Sequence, residues 1–235
     1  MPSGFKRTEL KLRYDVSTFR EDDWHAYAGQ RTLQYITRWL REYNSSSVWL
    51  LNAGAGVYQF GPNTWREICF DLFNAPILSL TFPICGTVEE LPFRSNTLGA
   101  IICVGEVLGY CDPVRALAEF GRVLVSSGLL ICDFGNSRGV RNWFTESYGR
   151  AAALVTSDYN HSPEKTWIYD PAYMQNLLRS FGFDVRDTMS THTWSAIARR
   201  IQLSTGTALF LENKLKRLRL PPFWGDVITI AALKF

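Results

Sequence analysis

The chain lacks any C-x-x-C pair. Its five cysteines, Cys69, Cys85, Cys103, Cys111 and Cys132, are odd in number and scattered, so structural zinc and thioredoxin-type redox chemistry have no motif to rest on. Cys69, Cys103 and Cys132 sit inside apolar runs and are expected as buried, reduced thiols of a cytoplasmic protein, because free cysteine behaves as a small hydrophobe. A charge excess is lacking too. Twenty-five Lys and Arg against 22 Asp and Glu leave a formal +3, too little to argue for nucleic acid, and no nucleic-acid recognition motif is present. No apolar run approaches the roughly 20 residues of a membrane span. The opening segment MPSGFKRTELKLRYD contains no apolar stretch of the signal-peptide kind, and none is expected. Internal repeats and low-complexity tracts are also missing.

What is present is a globular composition. Apolar residues make up 46% and charged residues 20% of 235 positions, enough to bury the core of one domain with a decorated edge. Aromatics reach 14%, with eight Trp.

Residues 1–13 read as a loose basic arm. Trp24, Tyr27, Leu33, Ile36, Trp39 and Leu40 recur at helical steps within Ser17 to Tyr43. Short apolar strands follow at Val48–Leu51, Glu67–Asp71, Leu98–Val104 and Gly128–Phe134, with a further element near Ile84. Pro113 to Leu124 has helical spacing. Strands that are apolar on both faces and alternate with helices imply a parallel sheet covered on each side. Residues 135–166 show little period. Asp170-Pro171 opens a helix, as N-cap and first-turn proline, that stops at Gly182. Phe183–Val185 starts another strand. Trp194 to Leu218 reads as one helical stretch, and Asp226 to Leu233 as a closing strand.

The chemistry concentrates after the first strand. Asn52-Ala53-Gly54-Ala55-Gly56 is a strand-to-turn segment in which glycine lets a ligand approach the backbone. A dinucleotide turn needs G-x-G-x-x-G. Here Gln59 stands at the third glycine, and Val57-Tyr58 add bulk, which disfavours NAD. Asp71, 19 residues after Asn52 at the end of the second strand, can accept two ribose hydroxyls through its two carboxylate oxygens. Its ordinary alternative is an N-cap.

These residues resemble the class I S-adenosylmethionine-dependent methyltransferase family, of small-molecule type. Val48 to Tyr58 resembles its first motif, with Asn52 in place of the usual acid and Tyr58 in place of the last glycine. Glu89-Glu90-Leu91-Pro92-Phe93 resembles its E-x-L-P-F stretch, and Gly105-Glu106-Val107-Leu108 the segment after its fourth strand. Glu119 to Leu124 and Ser127 to Ile131 resemble its helix and the turn into its fifth strand. Thr87 departs from the Asp common there.

The resemblance implies an α/β, Rossmann-like, seven-stranded, mostly parallel sheet with the last strand antiparallel, helices on both faces and substrate-side insertions. It implies a single domain over 1–235: a helical cap at 1–43, a cofactor core at 48–134, insertions at 135–169 and 190–222, and a final strand within 223–235. It also implies S-adenosylmethionine as cofactor, with S-adenosylhomocysteine as product. Asn52, Ala53, Gly54, Gly56, Asp71, Leu72, Val88, Glu89, Val104 and Gly105 are the implied contacts, with Tyr14 as a cover over the cofactor.

Methyl transfer is an in-line displacement that draws much of its acceleration from positioning. It needs a base only where the acceptor must lose a proton. The candidates are His161, Tyr110, His192 and His25. Trp143, Tyr148, Tyr159, Trp167 and Trp194 are candidates for the wall of an apolar substrate pocket, or for a satellite core beneath long loops. The basic, amphipathic stretch 213–224 is either a solvated helix end or a weak membrane-surface contact. The leading expectation is methylation of a small, apolar or aromatic metabolite on O, N or C. A lipid- or glycan-linked acceptor and a catalytically silent binding protein are the alternatives.

Overall fold

The computed structural model describes residues 23–43, 47–61, 64–73, 77–159, 162–215 and 222–235. The proposed arm, Tyr14, His161 and residues 216–221 of the basic stretch lie outside them, as do the side chains of His25 and Tyr159.

Helix α1 (Asp23–Glu42) precedes strands β1 (Trp49–Ala53), β2 (Arg66–Asp71), β3 (Pro83–Cys85) and β4 (Leu98–Cys103). Helix α2 (Pro113–Val123) leads into the long β5 (Leu124–Asn136). Then come β6 (Ala152–Tyr159), β7 (Ser162–Tyr169), α3 (Pro171–Ser180), β8 (Phe183–Thr191), α4 (Trp194–Arg200), α5 (Thr205–Leu215) and β9 (Val227–Lys234). β3, β2, β1, β4 and β5 lie side by side in that order and run parallel. β9 pairs antiparallel with both β5 and β8. This is the expected seven-stranded sheet with its reversed last strand.

Successive strand residues point to opposite faces, and here both faces are buried. Leu51, Ile101, Leu130 and Phe134 pack in one core with Leu117 and Phe120 of α2 and Met174 and Leu178 of α3. Leu50, Ile102, Leu129, Ile131 and Ala231 pack in another with Tyr35, Ile36 and Leu40 of α1. Asp112 and Asp170 cap α2 and α3 by accepting backbone N–H groups of their first turns, each with proline following.

Two expectations are corrected. The segment 135–166 is not aperiodic throughout: β6 and β7 form an antiparallel hairpin, making a nine-stranded sheet, and β7 runs parallel beside the end of β5 at Gly135 and Asn136. Hydrophobic alternation did not signal it because two buried positions of β7 are Glu164 and Thr166. The stretch from Trp194 is two helices, not one. Gln202 adopts φ +64°, and the Ser204 hydroxyl accepts the Thr207 N–H at 3.2 Å, starting α5 afresh. Among the described residues no helix is long and apolar enough to cross a membrane.

Candidate functional site

The carboxyl ends of β1, β2, β4 and β5 and the start of β9 share one sheet edge, the edge where open α/β sheets place their ligands. On the α1 face, apolar columns turn polar as they reach it. Leu50 gives way to Asn52, Ile131 to Asp133, and Ala231 to Thr229, which lies opposite Asp133 in the β5–β9 ladder. Asp71 closes β2 in the phase opposite to Ile68 and Phe70, which face the other core.

The glycine turn is tied to β2 by the Gly54 and Ala55 N–H groups, which donate to the Phe70 carbonyl at 2.8 and 3.0 Å. Gly54 has φ +82°, and a Cβ there would meet Val107 Cγ2 at 2.3 Å. Gly56, at φ +53°, and Gly105, at φ +88°, instead face open space, with nothing within 4 Å of where a Cβ would stand. Val57 and Tyr58 are exposed, so their bulk lies outside the turn.

Asn52 is buried. Its Nδ2 donates to the Tyr58 carbonyl at 2.8 Å and to Glu67 Oε1 at 2.9 Å. The Glu67 carboxylate also accepts the N–H groups of Phe60 and Gly61, so the pair fixes the segment returning from the turn. Asp71 accepts the Gly56 N–H on Oδ2 at 2.9 Å and the Phe73 N–H on Oδ1 at 3.0 Å. Burial raises its pKa and these N–H groups oppose the rise. Ala53, Val88 and Val104 are buried, and Leu72 is partly so. The Glu89 carboxylate accepts the Asp112 N–H at 2.8 Å and pairs with Arg115 at 3.4 Å. Its charge thus serves the start of α2.

Beyond β4 lies a group that sequence reasoning missed. Asp133 accepts the N–H groups of Gly105 at 3.0 Å and Glu106 at 2.7 Å. Those bonds hold Glu106 at φ +59°, a left-handed conformation that a non-glycine residue adopts at a cost and that recurs at functional sites. A Cβ on Gly135 would meet Glu106 Oε2 at 2.8 Å, so this glycine makes room for the carboxylate. Glu106 is within electrostatic reach of Asp133, Arg141, Asp226 and Glu164. Burial, reinforced by Asp133, pushes its pKa up to about 8. Burial likewise raises Asp133 to about 6, against the N–H groups of Gly105 and Glu106, and Asp226 to about 7, against Arg141. The signal in the sequence was a lone charge within or beside apolar runs: Asp133 in Leu129–Phe134, and Asp226 before Val227.

The expected acceptor-side residues occupy separate settings. Tyr110 donates its hydroxyl to Glu164 and so belongs to this acidic group. His192 is buried at the turn after β8, with Nδ1 3.1 Å from Ser195 Oγ and its ring 5.7 Å from that of Tyr27. Trp143 meets Trp224 edge-on at 5.3 Å, just ahead of Asp226. Trp167 packs against the α2–α3 core, Trp194 is partly buried at the start of α4, and Tyr148 is exposed.

Residues 64–132 match the family model described as the methyltransferase domain. The chain is thus similar to a methyltransferase domain over that stretch. Its fold is shared with a proposed S-adenosylmethionine-dependent methyltransferase of Listeria monocytogenes, at 12% identity and a TM-score of 0.63, over 91% of this chain and all of that one. It is shared too with the 1,6-didemethyltoxoflavin-N1-methyltransferase of Burkholderia thailandensis, solved with 1,6-didemethyltoxoflavin and S-adenosylhomocysteine, at 16% identity and a TM-score of 0.62, over 97% of this chain and 86% of that one. An uncharacterised protein of Methanocaldococcus jannaschii is 26% identical over 124 residues, 46% of this chain. The chain spans about half the length of that curated relative, 49%.

The donor set of this edge suits S-adenosylmethionine. An ionised carboxylate offers about four lone-pair sites, so Asp71 keeps acceptor capacity for ribose hydroxyls beyond its backbone N–H partners. The open faces of Gly56 and Gly105 leave a cradle that any Cβ would narrow. Asn52 offers the methionine end an amide without charge.

Proposed function

We propose that this chain is an S-adenosylmethionine-dependent methyltransferase acting on a small, apolar or aromatic metabolite, with Glu106 as the group that takes the acceptor's proton. The observation that carries this reading is Glu106 itself: held left-handed by Asp133, set beside the open face of Gly105, and raised in pKa to about 8. A general base serves best when its pKa lies near the working pH, and such shifts gather at functional sites.

When bound, S-adenosylmethionine supplies an electrophilic methyl group on a sulfonium. Asp71 would hold its ribose, and Gly54, Ala55 and Gly56 would pass its methionine portion. Asn52 keeps the turn in shape through Tyr58 and Glu67. Asp133 positions Glu106 through the Gly105–Glu106 backbone. The Trp143–Trp224 pair offers the acceptor an apolar surface near Asp226. The single-domain division and the roles of Tyr14 and His161 belong to the same proposal.

Calorimetry with S-adenosylhomocysteine tests it. Micromolar binding is the expected result, and no heat at millimolar ligand overturns the reading.

A further inference from the structure

We infer that the acceptor is a protonated amine on an apolar or aromatic frame, taken up as an ammonium between Glu106, Asp133 and Asp226. The inference rests on the methyltransferase reading and names the acceptor class for that site.

Two independent observations converge on a cation. The first is charge. The carboxylates of Asp133, Asp226 and Glu164 stand within electrostatic reach of Glu106, with Arg141 as the cation among them. Glu106 is faced from β5 by Asp133, from the turn at Val140–Asn142 by Arg141, from β7 by Glu164, and from the start of β9 by Asp226. An anionic acceptor would add to this repulsion, a neutral hydroxyl would leave it, and an ammonium relieves it.

The second is unmet hydrogen-bonding capacity. Thr229 is fully buried opposite Asp133, and its Oγ1 has no hydrogen-bond partner. Asp226 Oδ1 is also enclosed without one. Buried polar atoms are nearly always satisfied, so such orphans call for an account. An ammonium carries several donors for acceptors spread around it.

Gly105 stands next to Glu106 with nothing within 4 Å of where a Cβ would stand.

The chemistry closes. The ammonium gives one proton to a Glu106 carboxylate oxygen, which frees the nitrogen lone pair. That pair forms the new N–CH3 bond as the S–CH3 bond breaks, and the pair of the broken bond leaves with sulfur. The product is a methylated ammonium, a neutral thioether and a protonated Glu106, which then releases its proton to solvent.

The test uses the full chain saturated with S-adenosylhomocysteine. Calorimetry at pH 7.5 compares phenethylamine and tryptamine with phenylpropionate and phenethyl alcohol, in buffers of differing ionisation enthalpy. The expected result is amine binding about 10- to 100-fold tighter than that of the carboxylate or alcohol, the span of a hydrogen bond to a charged group, with proton release on binding. Glu106→Gln should keep S-adenosylhomocysteine affinity while losing the amine preference and the proton release. Asp226→Asn, neutralising a different element, should weaken amine binding in the same direction. Amines that bind no better than the carboxylate or alcohol, or that do not bind, overturn the inference and leave the methyltransferase reading standing. Failure of S-adenosylhomocysteine to bind overturns that reading instead.

Discussion

Asp71 and Glu106 stand on one sheet edge, after β2 and β4, yet their carboxylates live in different settings. Asp71 is surrounded by donors: the N–H groups of Gly56 and Phe73 each meet one of its oxygens. Glu106 is surrounded by acceptors. Its own N–H goes to Asp133, and its carboxylate faces the negative groups of Asp133, Asp226 and Glu164, with Arg141 opposing. Backbone donors hold the Asp71 carboxylate in place and oppose the rise in pKa that burial brings, which suits the grip on a fixed ligand. A carboxylate crowded by its own kind holds a proton near neutrality, which suits an exchange with a passing one. Under the proposed function the edge divides into a half that would hold the cofactor and a half that would transfer the proton.

The division breaks first at Asp71. Asp71→Ala should weaken S-adenosylhomocysteine binding about 100-fold, two hydrogen bonds to a charged group being lost. It should also destabilise the fold by about 1–3 kcal/mol, because the Gly56 and Phe73 N–H groups lose their acceptor. Calorimetry and urea unfolding check the two effects separately. Lost stability with unchanged affinity would make Asp71 a loop anchor only.

The glycines sharpen the same comparison on a smaller scale. Gly54→Ala drives a Cβ against Val107 Cγ2, 2.3 Å away, at φ +82°, and should cost roughly 2 kcal/mol of stability by strain and crowding. Gly56→Ala meets nothing within 4 Å, so about 1 kcal/mol of backbone strain is expected, with the larger loss in ligand affinity. Urea unfolding of both variants beside ligand titration tests this. Equal losses of stability would show that the space at Gly56 is not a cradle.

The holding half was legible in the sequence and the transferring half was not, for a physical reason. Gly54, Gly56 and Asp71 lie on or just past short strands whose apolar residues announce them, and local spacing is enough to find them. Glu106, Asp133, Glu164 and Asp226 come from four separate stretches of chain that only the folded sheet brings together. Glu164 and Thr166 even hid β7, because burying polar side chains removes the alternation by which a strand is read. The same holds for the order β3-β2-β1-β4-β5 with β9 reversed. Its elements were visible as apolar runs, but their neighbours followed only from the resemblance. The break between α4 and α5 was missed because Gln202 and Ser204 interrupt a pattern whose spacing continues on either side.

A further expected effect bears on the transferring half directly, through the dependence of stability on pH. Glu106 moves from an ordinary 4.5 to about 8 on folding, Asp226 from 3.8 to about 7, and Asp133 from 3.8 to about 6, burial being the first cause in each. A folded pKa above the unfolded one means that the native state binds the proton more tightly. Between the two values the unfolded chain has already released it, so stability falls as pH rises. The contribution is fully present below about pH 4 and is lost through the folded values, ending above about pH 8. The melting temperature should therefore decline steadily from pH 5 to pH 8.5, by about 2–4 °C for each kcal/mol lost in a chain of this size. Glu106→Gln, which cannot ionise, should flatten the decline above pH 7 and make it shallower below, where Asp226 and Asp133 still contribute. Asp71→Asn should leave the region above pH 7 steep. A melting temperature that rises over this range in the parent chain would mean that the carboxylates are ionised and compensated in the folded state. The contrast between the two halves of the edge would then be one of position alone.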